Sequence, residues 1–267
     1  MVRLEDIADI IEEKAPLSTQ ESWDNSGWQI RLDDGENAGI SKILVALELN
    51  REVAEEAVSQ GAELIVCHHP LIFGGLKSVD DKSVTGNIIA GLIRKGISVY
   101  ATHTPFDKCS GGNNDYLAGL LGLTDAGLIP GDESGICRMG MADGTVSAGE
   151  MTARFAEKTG QDIRFFRLAG KMEQPVKQVG ICTGSGAEFL DIAAAAGCDL
   201  FITGDVKYHT AHHALELGIG LLDLGHYGSE QIFTENMAGL LKRELAQRGL
   251  DAQVIESSIN LNPFTAV

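Results

Sequence analysis

The chain has 267 residues, 44% of them hydrophobic, which is enough for one large or two modest folded cores. Its formal net charge is −17, and so acidic a surface repels phosphate backbones, which argues against nucleic acid as a partner. No apolar stretch approaches the roughly 18 residues of a membrane span, and the acidic start is unlike a secretory signal. We therefore predict a cytoplasmic protein without a membrane partner. Five scattered cysteines with no Cys-x-x-Cys pair are typical of reduced thiols.

Short apolar runs alternate with helical patterns, which predicts an α/β fold with mostly parallel sheets flanked by helices. The first lobe is predicted to contain helices near 4–14, 51–60, 84–95 and 114–121 and strands near 43–48, 63–68 and 97–102. The second is predicted to contain strands near 136–141, 163–168, 178–182, 199–203 and 219–223 and helices near 148–159, 187–196 and 207–217. A long helix near 229–248 and a short strand near 253–256 follow.

An internal repeat indicates that the two lobes are related. Residues 42–69 align without gaps on residues 178–205, so that a strand, a helix, a glycine at the helix end and a second strand share one register. The next strand, at 96–100, resembles 218–222 after a shorter connection. We interpret this pattern as two related α/β lobes.

The lobes are predicted to join in a glycine-rich segment, residues 128–149. The predicted domains are a metal-binding lobe of residues 1–127 plus 222–267 and a second, related lobe of residues 128–221. This division assigns the last predicted strand end to the metal-binding lobe.

Histidines and carboxylates follow three of the predicted strands. Two adjacent imidazoles follow the buried run at 63–67, and because neighbouring residues of an extended chain point to opposite sides, each can face a different ion. The other two strand ends carry a His-x-x-x-Asp pair and a His-x-x-x-Glu pair. Because open parallel sheets bind ligands beyond the carboxyl ends of their strands, we predict a centre for two divalent ions there. The residues concerned are His68, His69, His103, Asp107, His226 and Glu230.

Other polar residues have structural as well as functional interpretations. His209 and His213 lie one helical turn apart and either bind metal or occupy a partly solvated helix face, with His209 near the mouth of the site. Asp205 occupies the position of His69 in the repeat. It is predicted either to cap the following helix or to take part in the site, and the sequence favours neither role. The turn at 111–114 opens a helix, whose free N–H groups would also suit an anion.

Five motifs occur in a fixed order along the chain. They are Trp-Asp-Asn-x-Gly at 23–27, His-His-Pro at 68–70, His103 to Asp107, Thr-Gly-Asp-x-Lys-Tyr-His at 203–209, and Gly-His-Tyr at 225–227 with Glu230. Together they resemble the Nif-three-like dinuclear-metal proteins, many of which are named GTP cyclohydrolase I type 2 homologues. The resemblance covers about residues 4–262. The turn at 23–27 is interpreted either as a packed turn or as a pocket wall.

The resemblance implies a toroidal homo-hexamer with paired metals facing an internal cavity. It also implies a ligand set for two divalent ions. Mixed imidazole and carboxylate ligands suit Zn, Fe, Mn, Co or Ni, and no thiolate narrows the choice. The implied metal ligands are His68, His69, Asp107, His226 and Glu230. One departure from many relatives is Pro105-Phe106 in place of Asn-Leu, which leaves the ligands intact.

We therefore expect a dinuclear metal-dependent hydrolase. The two ions would lower the pKa of a shared water towards roughly 7, and His103 or His209 would carry the proton. By resemblance, the reaction is the ring opening of a nucleotide such as GTP with release of formate. The cations considered for its phosphates are Lys77, Lys82, Lys108 and Lys207. The alternative is a metal-binding, delivery or regulatory protein without catalysis, which the same ligands would serve.

Overall fold

The computed structural model describes residues 2–32 and 39–266. Within that part of the chain, no helix combines the length and the apolar character needed to cross a lipid bilayer. The chain forms two compact units, Met1–Cys109 with Phe233–Leu261, and Ser110–Ile232 with Asn262–Val267. These boundaries differ from the predicted ones at 127/128 and 221/222.

Helices and strands are interspersed along the whole described chain. In the first part they are α1 (Leu4–Lys14), β1 (Gly27–Ile30), β2 (Lys42–Ala46), α2 (Arg51–Gln60), β3 (Leu64–Cys67), α3 (Val84–Arg94), β4 (Ser98–Ala101) and α4 (Thr104–Lys108). Then come α5 (Asn113–Leu120), β5 (Thr124–Leu128), β6 (Arg138–Ser147), α6 (Ala148–Thr159), β7 (Arg167–Ala169), β8 (Pro175–Ile181), α7 (Leu190–Ala195) and β9 (Leu200–Thr203). The last are α8 (Tyr208–Leu217), β10 (Gly220–Asp223), α9 (His226–Glu230), α10 (Ile232–Arg248) and β11 (Gln253–Glu256).

The first unit is built on a five-stranded sheet of order β1-β4-β3-β2-β11. Four of these strands are parallel, and β1 pairs antiparallel with β4 at one edge. All four residues of β3 and of β4 are buried, because helices cover both faces of a parallel sheet. The polar residues that follow these two strands are therefore held by a rigid core.

The second unit contains a six-stranded mixed sheet of order β5-β6-β8-β9-β10-β7. Its centre, β8-β9-β10, is parallel, whereas β5, β6 and β7 join by antiparallel pairings. The α/β class with two sheets flanked by helices is confirmed. The expectation of mostly parallel pairing holds for the first sheet and for the centre of the second.

The repeat seen in the sequence extends to strand register. Ile43 pairs with Leu64 across β2 and β3, and Val179 pairs with Leu200 across β8 and β9, which are the residues that the alignment equates. The third strands agree as well, since Leu64 pairs with Ser98 and Leu200 with Gly220. Each third strand is followed by a five-residue helix, α4 or α9. The two units thus contain the same βαβ core and the same short helix after it.

The unpredicted elements lie mainly at sheet edges. The strands β1 and β5 were not predicted, and the strand predicted near 163–168 is a 3₁₀ turn at Ile163–Phe165 followed by β7. The predicted junction at 128–149 contains β6, whose ten residues pair with both β5 and β8. The strand β10 pairs with β9 and β7 and so lies in the second sheet, in the lobe where a strand near 219–223 was predicted.

Candidate metal centre

His68 follows β3 directly and is fully buried. Its Nδ1 lies 2.9 Å from the carbonyl oxygen of Thr102, which only accepts hydrogen bonds, so Nδ1 carries the proton. The other ring nitrogen, Nε2, therefore keeps a lone pair, and it lies 3.6 Å from Oδ2 of Asp107. A buried imidazole fixed in this tautomer has the form that a metal ion requires.

His69 and His103 stand beside His68 in the first unit. Nδ1 of His69 lies 3.6 Å from Oε2 of Glu48, and Nδ1 of His103 lies 2.9 Å from Oδ1 of Asp24. The three imidazoles each offer one nitrogen such that all three atoms lie within 4.8 Å of one another, a spacing that a metal ion can bridge. We call His68, His69 and His103 the imidazole group.

The Asp24 carboxylate anchors this group from the turn that precedes β1. Burial alone would raise the pKa of Asp24, but hydrogen bonds from His103, Thr104 and Ser26 outweigh that effect and hold the pKa well below its usual value. Its side chain is completely buried. Asp24 is thus a fixed negative charge that keeps the proton of His103 on Nδ1.

The short helix α4 places Asp107 next to His68. Asp107 is buried, and its backbone N–H donates to the carbonyl oxygen of His103 at 3.3 Å. Pro105 occupies the first turn, where no backbone N–H is needed, and Phe106 meets Phe233 edge-on at 5.3 Å. The Pro-Phe departure from many relatives is therefore accommodated by packing.

The second unit carries a histidine–glutamate pair on α9. Nε2 of His226 lies 3.0 Å from Oε2 of Glu230, one helical turn away, and Glu230 is buried. Nδ1 of His226 lies 2.7 Å from Oδ2 of Asp205, which has a left-handed backbone with φ of 54°. The N-cap of α8 is Lys207, so Asp205 does not cap that helix and instead orients His226.

Gly184 leaves space for the side chain of Glu230 and is itself held by Ser229. The backbone of Gly184 has φ of +68°, and a Cβ added there would overlap Oε1 of Glu230. Its N–H donates to Oγ of Ser229 at 2.8 Å, which fixes the loop after β8 against α9. Glycine suits this position because it adopts the left-handed backbone at low cost and has no Cβ to overlap the Glu230 carboxylate.

These donors suit divalent ions. His68, His103 and His226 each have Nδ1 held by an oxygen acceptor, which leaves Nε2 as the ring nitrogen that can bind an ion. In His226 this nitrogen faces a carboxylate oxygen at 3.0 Å, and two acceptors so close together need a proton or a cation between them. Imidazole and carboxylate donors without thiolate suit Zn, Fe, Mn, Co or Ni.

The remaining predicted residues lie elsewhere. His209, predicted as a proton carrier, is exposed at the start of α8, where its ring contacts Tyr208, and it belongs to neither group of donors within the described chain. The helix α5 begins at Asn113, and Asn114 accepts a hydrogen bond from the N–H of Thr183, which supports the plain helix start. Lys108 pairs with Glu21 at 2.6 Å. The other lysines considered for phosphates, Lys77, Lys82 and Lys207, are exposed.

Several supporting residues were not assigned a role from the sequence. Asp24 lies in the turn that the resemblance includes, so its motif was a usable signal. No sequence motif marks the other three residues, because their roles depend on contacts between segments far apart in the chain. They are Thr102 with its backbone carbonyl, Glu48 with its carboxylate, and Gly184.

Comparison with known proteins identifies the family of the chain. The family model described as Duf34/NIF3 (NGG1p interacting factor 3) matches residues 2–263. The chain belongs to this family. A Clostridium perfringens protein named GTP cyclohydrolase 1 type 2 homolog is 35% identical over 98% of the chain and 99% of its own length. A Helicobacter pylori protein named GTP cyclohydrolase 1 type 2 is 36% identical over 90% of the chain and 92% of its own length.

Solved structures show the same fold. A Staphylococcus aureus hypothetical protein superposes with a TM-score of 0.89 at 28% identity, covering 100% of this chain and 99% of its own. A Bacillus cereus protein related to NIF3 gives a TM-score of 0.88 at 21% identity, with 98% of each chain covered. The resemblance inferred from the five motifs is thus confirmed at the level of the family.

Proposed function

We propose that this Duf34/NIF3 protein is a dinuclear metal-dependent hydrolase that acts on a nucleotide. The observation that carries the proposal is the imidazole group, in which His68 and His103 have their tautomers fixed by buried acceptors. Such fixation is typical of histidines that bind a metal ion through the other ring nitrogen.

The proposed metal ligands are His68, His69, Asp107, His226 and Glu230. Divalent ions held by these residues would supply a more acidic water, with its pKa lowered towards roughly 7, and positive charge near the atom that gains negative charge. The carbonyl oxygen of Thr102 and the carboxylate of Asp205 orient the imidazoles of His68 and His226 through their Nδ1 atoms. Gly184 leaves the space that the Glu230 carboxylate occupies.

His103 is proposed to move the proton. Its Nδ1 is held by Asp24, so Nε2 is the nitrogen that accepts or returns a proton. The side chain is 13% exposed, and that of His69 is 19% exposed, so solvent and substrate reach this face of the group. The exposed His209 is not favoured for this role.

The substrate class rests on the relatives. Two Helicobacter pylori proteins are named GTP cyclohydrolase 1 type 2, and the H. pylori relative cited above is 36% identical to this chain. We therefore propose hydrolytic opening of a purine ring with release of formate.

The decisive experiment combines metal analysis with a nucleotide screen. We expect about two equivalents of divalent metal per purified chain and formate release from GTP. The variants Asp107→Asn and Glu230→Gln should each lose metal and turnover, whereas His213→Ala, on the exposed face of α8, should keep both. Two equivalents of metal without turnover on any nucleotide would favour the non-catalytic metal-binding alternative.

A homo-hexamer is proposed alongside this activity, as the family resemblance implies. Light scattering after size exclusion should then give about six times the 28.4 kDa mass of one chain. A monomer or dimer at micromolar concentration would contradict the hexamer without affecting the metal proposal.

A further inference from the structure

Two exposed aromatic side chains border the imidazole group. Trp23 is 55% exposed and Phe73 is 53% exposed. Their ring centroids lie 5.7 and 6.1 Å from that of His103, and both rings meet it edge-on. Their own centroids are 6.0 Å apart, with the planes tilted by 39°. Adjacent large apolar groups left in water beside a polar site are typical of a binding surface.

Hydrogen bonds between side chains and backbone join the two segments that carry these rings. Trp23 lies in the turn before β1, and Phe73 follows the histidine pair by four residues. The two segments are joined where Asn25 Nδ2 donates to the carbonyl oxygen of Ile72 at 2.6 Å and the N–H of Ile72 donates to Gln29 Oε1 at 3.0 Å. The segments that carry the rings are therefore joined before any ligand arrives, which lowers the entropic cost of ordering the backbone on binding.

We propose that Trp23 and Phe73 form a stacking surface for the purine ring of the nucleotide substrate. The purine class rests on the proposed function, whereas the stacking surface rests on the rings themselves. Planar heteroaromatic rings stack on exposed aromatic side chains, at about 1–3 kcal/mol per base. A ring stacked here lies beside His103, the proposed proton carrier.

The charges around the two rings favour a base over phosphates. The nearby ionisable groups of the site include the carboxylates of Asp24 and Glu48, and Glu48 is exposed. The segment 73–82 carries two lysines and two aspartates, so it adds no net positive charge. A triphosphate gains little from this surface, whereas an uncharged ring gains burial of apolar area.

Tryptophan fluorescence tests the proposal directly, because the chain has only two tryptophans. Trp28 packs edge-on against Tyr100 at 5.0 Å and is less exposed than Trp23. We expect guanosine to quench the emission of the full-length protein saturably and inorganic triphosphate to leave it unchanged. Trp23→Leu should abolish the quenching, and Trp28→Phe should preserve it.

Phe73→Leu should raise the dissociation constant for guanosine about 5-fold or more. The control is Phe264→Leu, which alters a phenylalanine that is 75% exposed and not part of the surface, and it should change nothing. Absence of saturable quenching, or equal affinity in Phe73→Leu and the wild-type chain, would overturn the proposal.

This test is separable from that of the proposed function. Binding is measured without turnover, so quenching without formate release would reject the hydrolase and keep the stacking surface. Formate release that is unaffected by Trp23→Leu or Phe73→Leu would reject the stacking surface and keep the hydrolase.

Discussion

Asp24 and His103 form a buried carboxylate–imidazole pair, with Oδ1 of the aspartate 2.9 Å from Nδ1 of the histidine. The other carboxylate oxygen accepts from the Oγ atoms of Thr104 at 2.6 Å and Ser26 at 2.8 Å. Because every neighbour of this carboxylate donates, the group is committed to being ionised. It fixes which nitrogen of His103 faces the site.

Replacing Asp24 with asparagine should therefore impair the site without changing its shape. An amide has only one acceptor oxygen, so its NH₂ must face either the His103 or the Thr104 donor. We expect metal affinity or turnover to fall about 10- to 100-fold, as is usual for groups that orient metal-site histidines. The matched control is Asp191→Asn, which alters an exposed carboxylate paired with His213 and should have no such effect. Equal metal content and turnover in the two variants would refute the role assigned to Asp24.

Gly184→Ala tests the space that Glu230 occupies. The new Cβ would overlap the Glu230 carboxylate, so we expect loss of metal, measured by elemental analysis. The control is Gly218→Ala, where φ is +75° and nothing lies within 4 Å of the added Cβ. Both variants should lose about 1–3 kcal/mol of stability through backbone strain, but only Gly184→Ala should lose metal. Full metal content in Gly184→Ala would show that Gly184 is needed only for its left-handed backbone and not for the space around Glu230.

The sequence predicted most of the fold because the repeat and the apolar runs are local signals. The aligned residues 42–69 and 178–205 have the same strand register in the structure, and α1, α2 and α6 have the predicted bounds. The edge strands β1 and β5 were missed because their sequences, Gly-Trp-Gln-Ile and Thr-Asp-Ala-Gly-Leu, contain no continuous apolar run. The ligand-bearing histidines were visible as motifs, whereas the acceptors behind them are specified by tertiary contacts.

Thiol titration tests the burial of the cysteines. Burial raises the pKa of Cys67 to about 12 and that of Cys198 to about 11, so neither forms thiolate near neutral pH. Cys137 and Cys182 are also buried, and Cys109 is the one partly exposed thiol of the five. We expect Ellman's reagent at pH 8 to modify about one thiol in the native protein and all five after denaturation. Cys109→Ser should remove the native reaction, and rapid modification of several native thiols would contradict the buried positions.

Removal of metal should destabilise the folded chain, because the proposed ligands come together only in the folded state. An ion present at 100 times its dissociation constant contributes about 2.7 kcal/mol, which corresponds to an unfolding temperature higher by about 5 °C or more. A chelator should lower the unfolding temperature of the wild-type protein and of His213→Ala by that amount. It should have a smaller effect on Glu230→Gln, which lacks one proposed ligand.

Glu63→Gln and Asp199→Asn test whether the two halves of the repeat are stabilised alike. Glu63 Oε2 accepts from the N–H groups of Ser41 and Lys42 at 2.7 and 2.9 Å, and Asp199 Oδ2 accepts from those of Lys177 and Gln178 at 2.8 Å each. Each carboxylate precedes one strand and accepts from backbone N–H groups in or directly before the neighbouring strand, at positions that the repeat equates. Because an amide oxygen accepts more weakly than a carboxylate, each variant should lose about 1–2 kcal/mol of unfolding free energy in denaturant titrations. A loss confined to one variant would show that the repeated contact stabilises only one of the two sheets.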